Sequence, residues 1–308
     1  MNELKTLNTL LKRFQNQKPI RASSLIISLY GDTIEPHGST VWLGSLINAL
    51  EPIGISERLM RTSIFRLTQD GWLESEKVGR KSYYRLTTQG HRKFEQAFQR
   101  IYSPNIQTWN GSWLLIIGSH LNPDEKKQLM DELQWQGFAT FSTQLIASPC
   151  CDKQTLKAIL LSLNLEEKVI VFEASSNTQF SNKPIQELVR DCWNLDALSQ
   201  HYQEFIELFL PVWQELSELD TLDPQSCFLT RTLLIHDYRK LLLRDPHLPR
   251  ELLPIDWEGR AARQLCRNIY RKLTPATEKW IEHNLESVHG PLPEANALFY
   301  ERFGGLNI

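Results

Sequence analysis

The sequence predicts an α+β protein made of three consecutive segments. Three observations carry that reading: charge is segregated along the chain, strand-like runs cluster in the middle, and nearly everything after Pro184 has helical spacing. The chain has 308 residues, with 34 Lys+Arg against 36 Asp+Glu and 41% hydrophobic residues, the composition of a globular protein of two or three domains. Residues 1–102 hold 15 basic and 9 acidic side chains, a net of +6, and the remainder holds 19 and 27, a net of −8. A near-neutral total therefore hides a basic head and an acidic body. Five cysteines, two of them adjacent at Cys150 and Cys151, form no paired framework and suit a reducing compartment. The longest apolar run, Trp113 to Ile117, is far short of the roughly 20 residues that span a bilayer. The N-terminus has no apolar core of the kind a secretory signal needs, so a cytoplasmic location and no membrane partner are expected.

In the basic head, Ser23–Tyr30 and Val41–Leu50 read as helices separated by Gly31, Pro36 and Gly38. After Pro52 and Gly54, Ser56 is an N-cap candidate followed by Glu57, an acidic residue suited to the first turn. The helix it opens stops at Gly71. Trp72–Lys77 and Ser82–Leu86 then form two strand-like runs across Val78-Gly79-Arg80-Lys81, a hairpin with a basic tip. A further amphipathic helix covers Gln89–Tyr102, and the first boundary falls at Tyr102-Ser103-Pro104-Asn105.

Over residues 110–175 the pattern is strand Trp113–Gly118, helix Pro123–Gln136, strand Phe138–Ile146, helix Lys153–Leu163 and strand Lys168–Glu173. This β-α-β-α-β reading becomes a ferredoxin-like β-α-β-β-α-β unit if the middle run is a hairpin. Beyond it, Ile185–Phe209, Pro224–Arg244 and Trp257–Leu273 are helical, punctuated by prolines 246, 249, 254 and 275. The expected domains are 1–102, 103–180 and 181–308, the last all-helical.

A helical wheel over Ser56–Gly71 places Leu59, Met60, Ile64 and Leu67 on one side, with Arg58, Arg61, Thr62, Arg66 and Gln69 on the other. Helix, loop, basic-faced helix and basic-tipped hairpin is the order of a winged helix-turn-helix. One helix fits the major groove, where arginine reaches guanine O6 and N7, and a basic hairpin reaches flanking phosphates. Arg58, Arg61 and Thr62 are the base-contact candidates; Arg66, Lys77, Arg80, Lys81 and Arg85 are the phosphate candidates. Residues 58–93 carry nine basic groups against three acidic ones. Double-stranded DNA is the expected partner, read by a homodimer over a two-fold site. Phe65 falls on the polar side and is expected to pack on the hairpin or the first helix. No Walker, G-x-S-x-G or H-E-x-x-H run and no C-x-x-C spacing is present, so neither catalysis nor a bound metal or cofactor is expected.

The runs Ser28–Asp32, Trp42–Leu46, Arg58–Thr62, Phe65–Leu67, Gly71–Leu73 and Gly79–Tyr83 closely resemble the PaaX family of phenylacetate-catabolism repressors. So do Trp135–Phe138, Ala147–Pro149, Leu234–Arg239, Asp245–Pro249, Glu251–Pro254, Ala262–Leu265 and Arg302–Leu306. The resemblance implies a homodimeric repressor of phenylacetic acid degradation genes, bound to an inverted-repeat operator and released by phenylacetyl-CoA, with a related aryl-CoA as the alternative effector. It also implies a central domain similar to a CRISPR-associated endonuclease, and with it the alternative of a metal-dependent nuclease. Such enzymes hold an Asp at the end of the first strand, where this chain has Gly118-Ser119-His120, so a structural or dimerising role is expected instead. An acyl-CoA needs an apolar slot and cationic donors for its phosphates. The candidates are His236, Tyr238, Arg239 and Lys240 on one helix and Trp257, Arg260, Arg263 and Arg267 on another.

Overall fold

The computed structural model describes residues 3–103, 109–150, 152–175 and 178–306. The basic head opens with α1 (Leu7–Gln15), a helix the sequence reading lacks, then α2 (Ala22–Leu29) and a short strand β1 (Thr40–Trp42) that runs into α3 (Leu43–Leu50). Next come α4 (Glu57–Gln69), the hairpin β2 (Leu73–Val78) and β3 (Lys81–Leu86), and α5 (Thr88–Tyr102). β3 lies between β1 and β2 in an antiparallel sheet, with Trp42 opposite Tyr83 and Leu73 opposite Leu86. The expected helix over Val41–Leu50 is thus strand for its first two residues. Tertiary pairing with β3 overrides the local helical spacing.

The middle of the chain supplies β4 (Ser112–Ile117), α6 (Pro123–Leu133), β5 (Ala139–Ser142), β6 (Leu145–Ser148), α7 (Lys153–Ser162) and β7 (Ile170–Ser175). The run expected as a single strand over Phe138–Ile146 is a hairpin, β5 and β6. The sheet order is β5-β6-β4-β7, antiparallel throughout. Leu114, Ile116, Leu129, Leu133, Phe138, Ile146, Leu156 and Leu160 form its core under α6 and α7. The expected boundary at Pro104 and Asn105 lies outside the described residues.

The helical remainder is α8 (Thr178–Cys192), α9 (Leu195–Glu218), α10 (Pro224–Leu242) and α11 (Glu258–Asn284), followed by a two-residue pair β8 (Glu286–Ser287) and β9 (Gly290–Pro291) and α12 (Ala297–Tyr300). Two expectations fail here. The helix expected over Ile185–Phe209 is broken at Asn194, whose φ of 47° is left-handed, and α11 continues through Pro275.

The chain divides into two compact units, residues 1–104 with 202–243 and 259–308, and residues 105–201 with 244–258. An all-helical third body over 181–308 is not what forms. The reason lies in α10, which is buried around its whole circumference from Ser226 to His236 and so must be enclosed by other elements. It packs against α1, α2 and α5 of the basic head.

Candidate nucleic-acid interface

Ser56 caps α4, its hydroxyl accepting the Leu59 N–H at 3.3 Å. At the other end the Trp72 N–H bonds the Leu67 carbonyl at 2.8 Å around Gly71, φ 69°, a left-handed turn that ends the helix. Met60, Ser63, Ile64 and Leu67 are buried, and α2 packs against the helix. Arg58, Arg61, Thr62, Phe65, Arg66 and Gln69 are exposed. The wheel is therefore reproduced, Phe65 included, with Leu59 half-buried. Phe65 is 63% exposed, so the expected packing on the hairpin or first helix is overturned: position 65 points away from both the Met60–Ile64 side and the core beneath it.

The basic residues of this face differ in their engagement. Arg61 pairs with Glu57 one turn back, Nη2 to Oε1 2.8 Å, both side chains about 60% exposed, an arrangement worth little and easily exchanged. The Thr62 hydroxyl donates to the Arg58 carbonyl at 2.9 Å and keeps its lone pairs for another donor. Gly79, φ 61°, opens the two-residue hairpin turn where a positive φ is needed. Arg80 beside it and Lys77 on β2 are exposed, whereas Arg85 is held by Glu74 across the hairpin at 2.8 Å. Lys81 meets Glu286 of β8 at 2.5 Å and lies 4.0 Å from the Trp42 ring centroid. That carboxylate raises the lysine pKa by accepting its hydrogen bond.

Behind the interface lies a buried ionic cluster that sequence reasoning missed. Asp32, just beyond α2, is 2% exposed and faces two buried arginines, Arg231 Nε at 3.1 Å from Oδ2 and Arg302 Nη1 at 3.1 Å from Oδ1. The Tyr102 and Tyr270 hydroxyls also donate to Oδ1, at 2.7 and 2.8 Å. Arg231 continues to Glu278 at 2.7 Å, and His37 bridges Glu278 (2.7 Å) and the Thr33 carbonyl (2.5 Å). Burial pushes the Glu278 pKa up, but the Arg231 charge and the His37 bond outweigh it and hold it at about 2. Each charge is taken out of water with an opposite charge and hydrogen bonds in place, the condition under which burial is tolerated. Asp32, Thr33, His37 and Tyr102 come from the head, and Arg231, Tyr270, Glu278 and Arg302 from α10, α11 and the C-terminal segment.

The effector candidates differ in burial and in their partners. His236 and Tyr238 are core residues of α10, His236 lying 3.3 Å from the Ser28 hydroxyl and edge-on to Phe14. Burial, then the charges of Lys240, Arg239 and Arg13, lower the His236 pKa to about 3. Arg239 reaches the Ser24 hydroxyl at 3.5 Å, and burial lowers its pKa. Lys240 sits 3.9 Å from Asp237. On α11, Arg260 is exposed and Arg263 donates to the Ser103 carbonyl at 2.5 Å. Trp257 belongs to the other compact unit. Among the described residues no three His, Cys, Asp or Glu side chains converge as a metal site, and no helix is long and apolar enough to cross a membrane.

Residues 21–90 match the family described as PaaX-like protein, and residues 193–283 match the PaaX-like protein C-terminal domain. The chain is 38% identical over 303 residues to Transcriptional repressor PaaX of Escherichia coli (strain K12), covering 98% of this chain and 96% of that one. The chain belongs to the PaaX family. Among solved structures it is similar to the uncharacterized protein Rv0674 from Mycobacterium tuberculosis, with a TM-score of 0.53 and 18% identity over 84% of this chain and 96% of that one. That likeness concerns fold alone. In PaaX family terms, the first matched region covers α2 through the hairpin and the second covers α9, α10 and most of α11.

Proposed function

We propose that this chain is a DNA-binding transcriptional repressor whose residues 1–102 form a winged helix-turn-helix, with α4 in the major groove and the β2–β3 hairpin on the flanking backbone. The observation that carries the proposal is the face of α4, where Arg58, Arg61, Thr62 and Arg66 stand exposed beside a hairpin tipped by Arg80. The repressor role agrees with that of the Escherichia coli relative, Transcriptional repressor PaaX. Arg58, Arg61 and Thr62 read bases, and Arg66, Lys77, Arg80, Lys81 and Arg85 neutralise phosphates. Two copies bind one operator, because a single helix reads only a few base pairs and two-fold symmetry doubles the contacts. The sheet ordered β5-β6-β4-β7 is read as a ferredoxin-like domain with a structural or dimerising role.

Family resemblance adds the control: phenylacetate-degradation genes as targets and phenylacetyl-CoA as the releasing effector, a ligand that must favour the form with weaker operator affinity. Gel shifts of the full chain on its own upstream DNA test both parts. Operator binding should weaken steeply between 50 and 200 mM salt, by factors of about 10³ or more for several phosphate contacts. Titration of the complex with phenylacetyl-CoA, free phenylacetate, CoA and a second aryl-CoA should release it only with the first. Release by free phenylacetate removes the acyl-CoA assignment, and salt-insensitive binding removes the interface.

A further inference from the structure

Phe65 is the largest exposed apolar side chain on the face of α4 that carries the arginines, and among the described residues nothing in the fold accounts for it. It is 63% exposed, while Met60, Ile64 and Leu67 of the same helix are buried. Positions 61, 62 and 69 lie four, three and four residues from position 65 and position 58 lies seven, so Phe65 stands in the same stripe as Arg58, Arg61, Thr62 and Gln69. A phenyl ring there is costly in water and gains only when that stripe is covered. Each of its stripe neighbours is polar, so what covers it must be a polar surface with a local apolar feature. The major groove is such a surface. Its edges are hydrogen-bonding groups except for the thymine C5-methyl, the one apolar group it displays.

We propose that Phe65 is a specificity-determining residue that reads a thymine by packing its ring on the C5-methyl, beside the base contacts of Arg61 and Thr62. The inference rests on the DNA-binding reading above, and it goes further by assigning a base type to a residue with no hydrogen-bonding capacity. Phe65 sets preference, and the arginines around it set polarity and register.

The test uses the full-length chain and a duplex recovered by selection from a randomised library. Each thymine of the selected site is replaced in turn by deoxyuridine, which removes the methyl and leaves the Watson–Crick edge unchanged. At one thymine per half-site the wild-type chain should lose about fourfold in affinity, the value of one buried methyl-sized group. Phe65→Ala should lose about tenfold on the thymine duplex and bind the thymine and deoxyuridine duplexes equally. Phe65→Leu, a smaller apolar contact, should retain part of the difference, and Arg61→Ala should retain all of it while binding both more weakly. Because Phe65 is exposed, both variants should unfold at the wild-type temperature. A Phe65→Ala chain that keeps the full thymine preference overturns the proposal, as does one that loses self-association with DNA affinity unaltered. A wild-type chain that selects no duplex overturns the DNA-binding reading itself, which separates the two failures.

Discussion

Lys81 Nζ lies 2.5 Å from a Glu286 carboxylate oxygen and 4.0 Å from the Trp42 ring centroid. The pair joins the hairpin to a two-residue strand 205 positions later in the chain. A lysine assigned to phosphate is therefore held by a carboxylate from the segment that follows α11. The two side chains are more than 40% exposed, so the bond exchanges readily with another anion.

Glu286→Gln is expected to release this lysine for phosphate. Affinity for non-specific duplex should rise several-fold, and the plot of log affinity against log salt should steepen by about one. The gain should vanish in Glu286→Gln combined with Lys81→Met. An unchanged salt slope in the single variant would show that Lys81 does not meet the backbone.

Arg61 and Arg66 should separate by kind of loss. Arg61→Ala is expected to weaken operator binding by about 1–3 kcal/mol with little effect on non-specific duplex. Arg66→Ala should weaken both alike and reduce the salt slope by about one. Competition gel shifts with operator and scrambled duplexes decide it, and equal losses for Arg61→Ala would move that residue to the phosphate class.

The Asp32 cluster predicts a stability effect with no counterpart on the surface. Arg302 is fully buried and donates to the Asp32 carboxylate, the Asp32 and Gly31 carbonyls and the Tyr270 hydroxyl. Arg302→Met leaves Asp32 with one arginine fewer, and breaking a buried pair from one side costs about 3–5 kcal/mol. Urea unfolding should register that loss. Because Asp32 follows α2, on which α4 packs, operator affinity should fall as well, and wild-type stability in Arg302→Met would show the cluster to be dispensable.

The parts of this fold that were legible in sequence are those whose determinants are local. The cap at Ser56, the 3.6-residue period through Leu67 and the stop at Gly71 lie within sixteen residues, and α4 formed where they placed it. The hairpin strands agree within two residues for the same reason. Three-residue β1 was illegible because a strand that short is defined by its partner, Tyr83 to Arg85. Asp32 and Arg302 are 270 residues apart, and no spacing rule connects them. The packing expected of Phe65 rests on the general burial of aromatic residues, and only the packed structure shows that the side chain stays exposed. The division into two interleaved units was hidden likewise, since periodicity tells that α10 is helical and not what surrounds it.

Acid should destabilise the protein in two stages. The folded pKa of His236 is about 3, below the ordinary 6.5, so between those values the unfolded chain binds a proton that the folded one does not. Stability is full above pH 6.5 and falls as pH drops toward 3. Glu278, at about 2 when folded against about 4.3 when unfolded, adds a second loss below pH 4.5 with the same sign. Each group contributes at most about 1.4 kcal/mol per pH unit within its window. His236→Gln, which cannot titrate, should flatten the decline between pH 6.5 and 4.5 and leave only the Glu278 share of the fall below it. Glu278→Gln should flatten only the lower limb, on top of a pH-independent loss from leaving Arg231 short of a charge partner. Urea midpoints of the three proteins at pH 7.0, 5.5, 4.5 and 3.5 measure both limbs, and a His236→Gln profile parallel to wild type above pH 4.5 would contradict the assignment, because the proton taken up by the unfolded chain would then belong to another histidine.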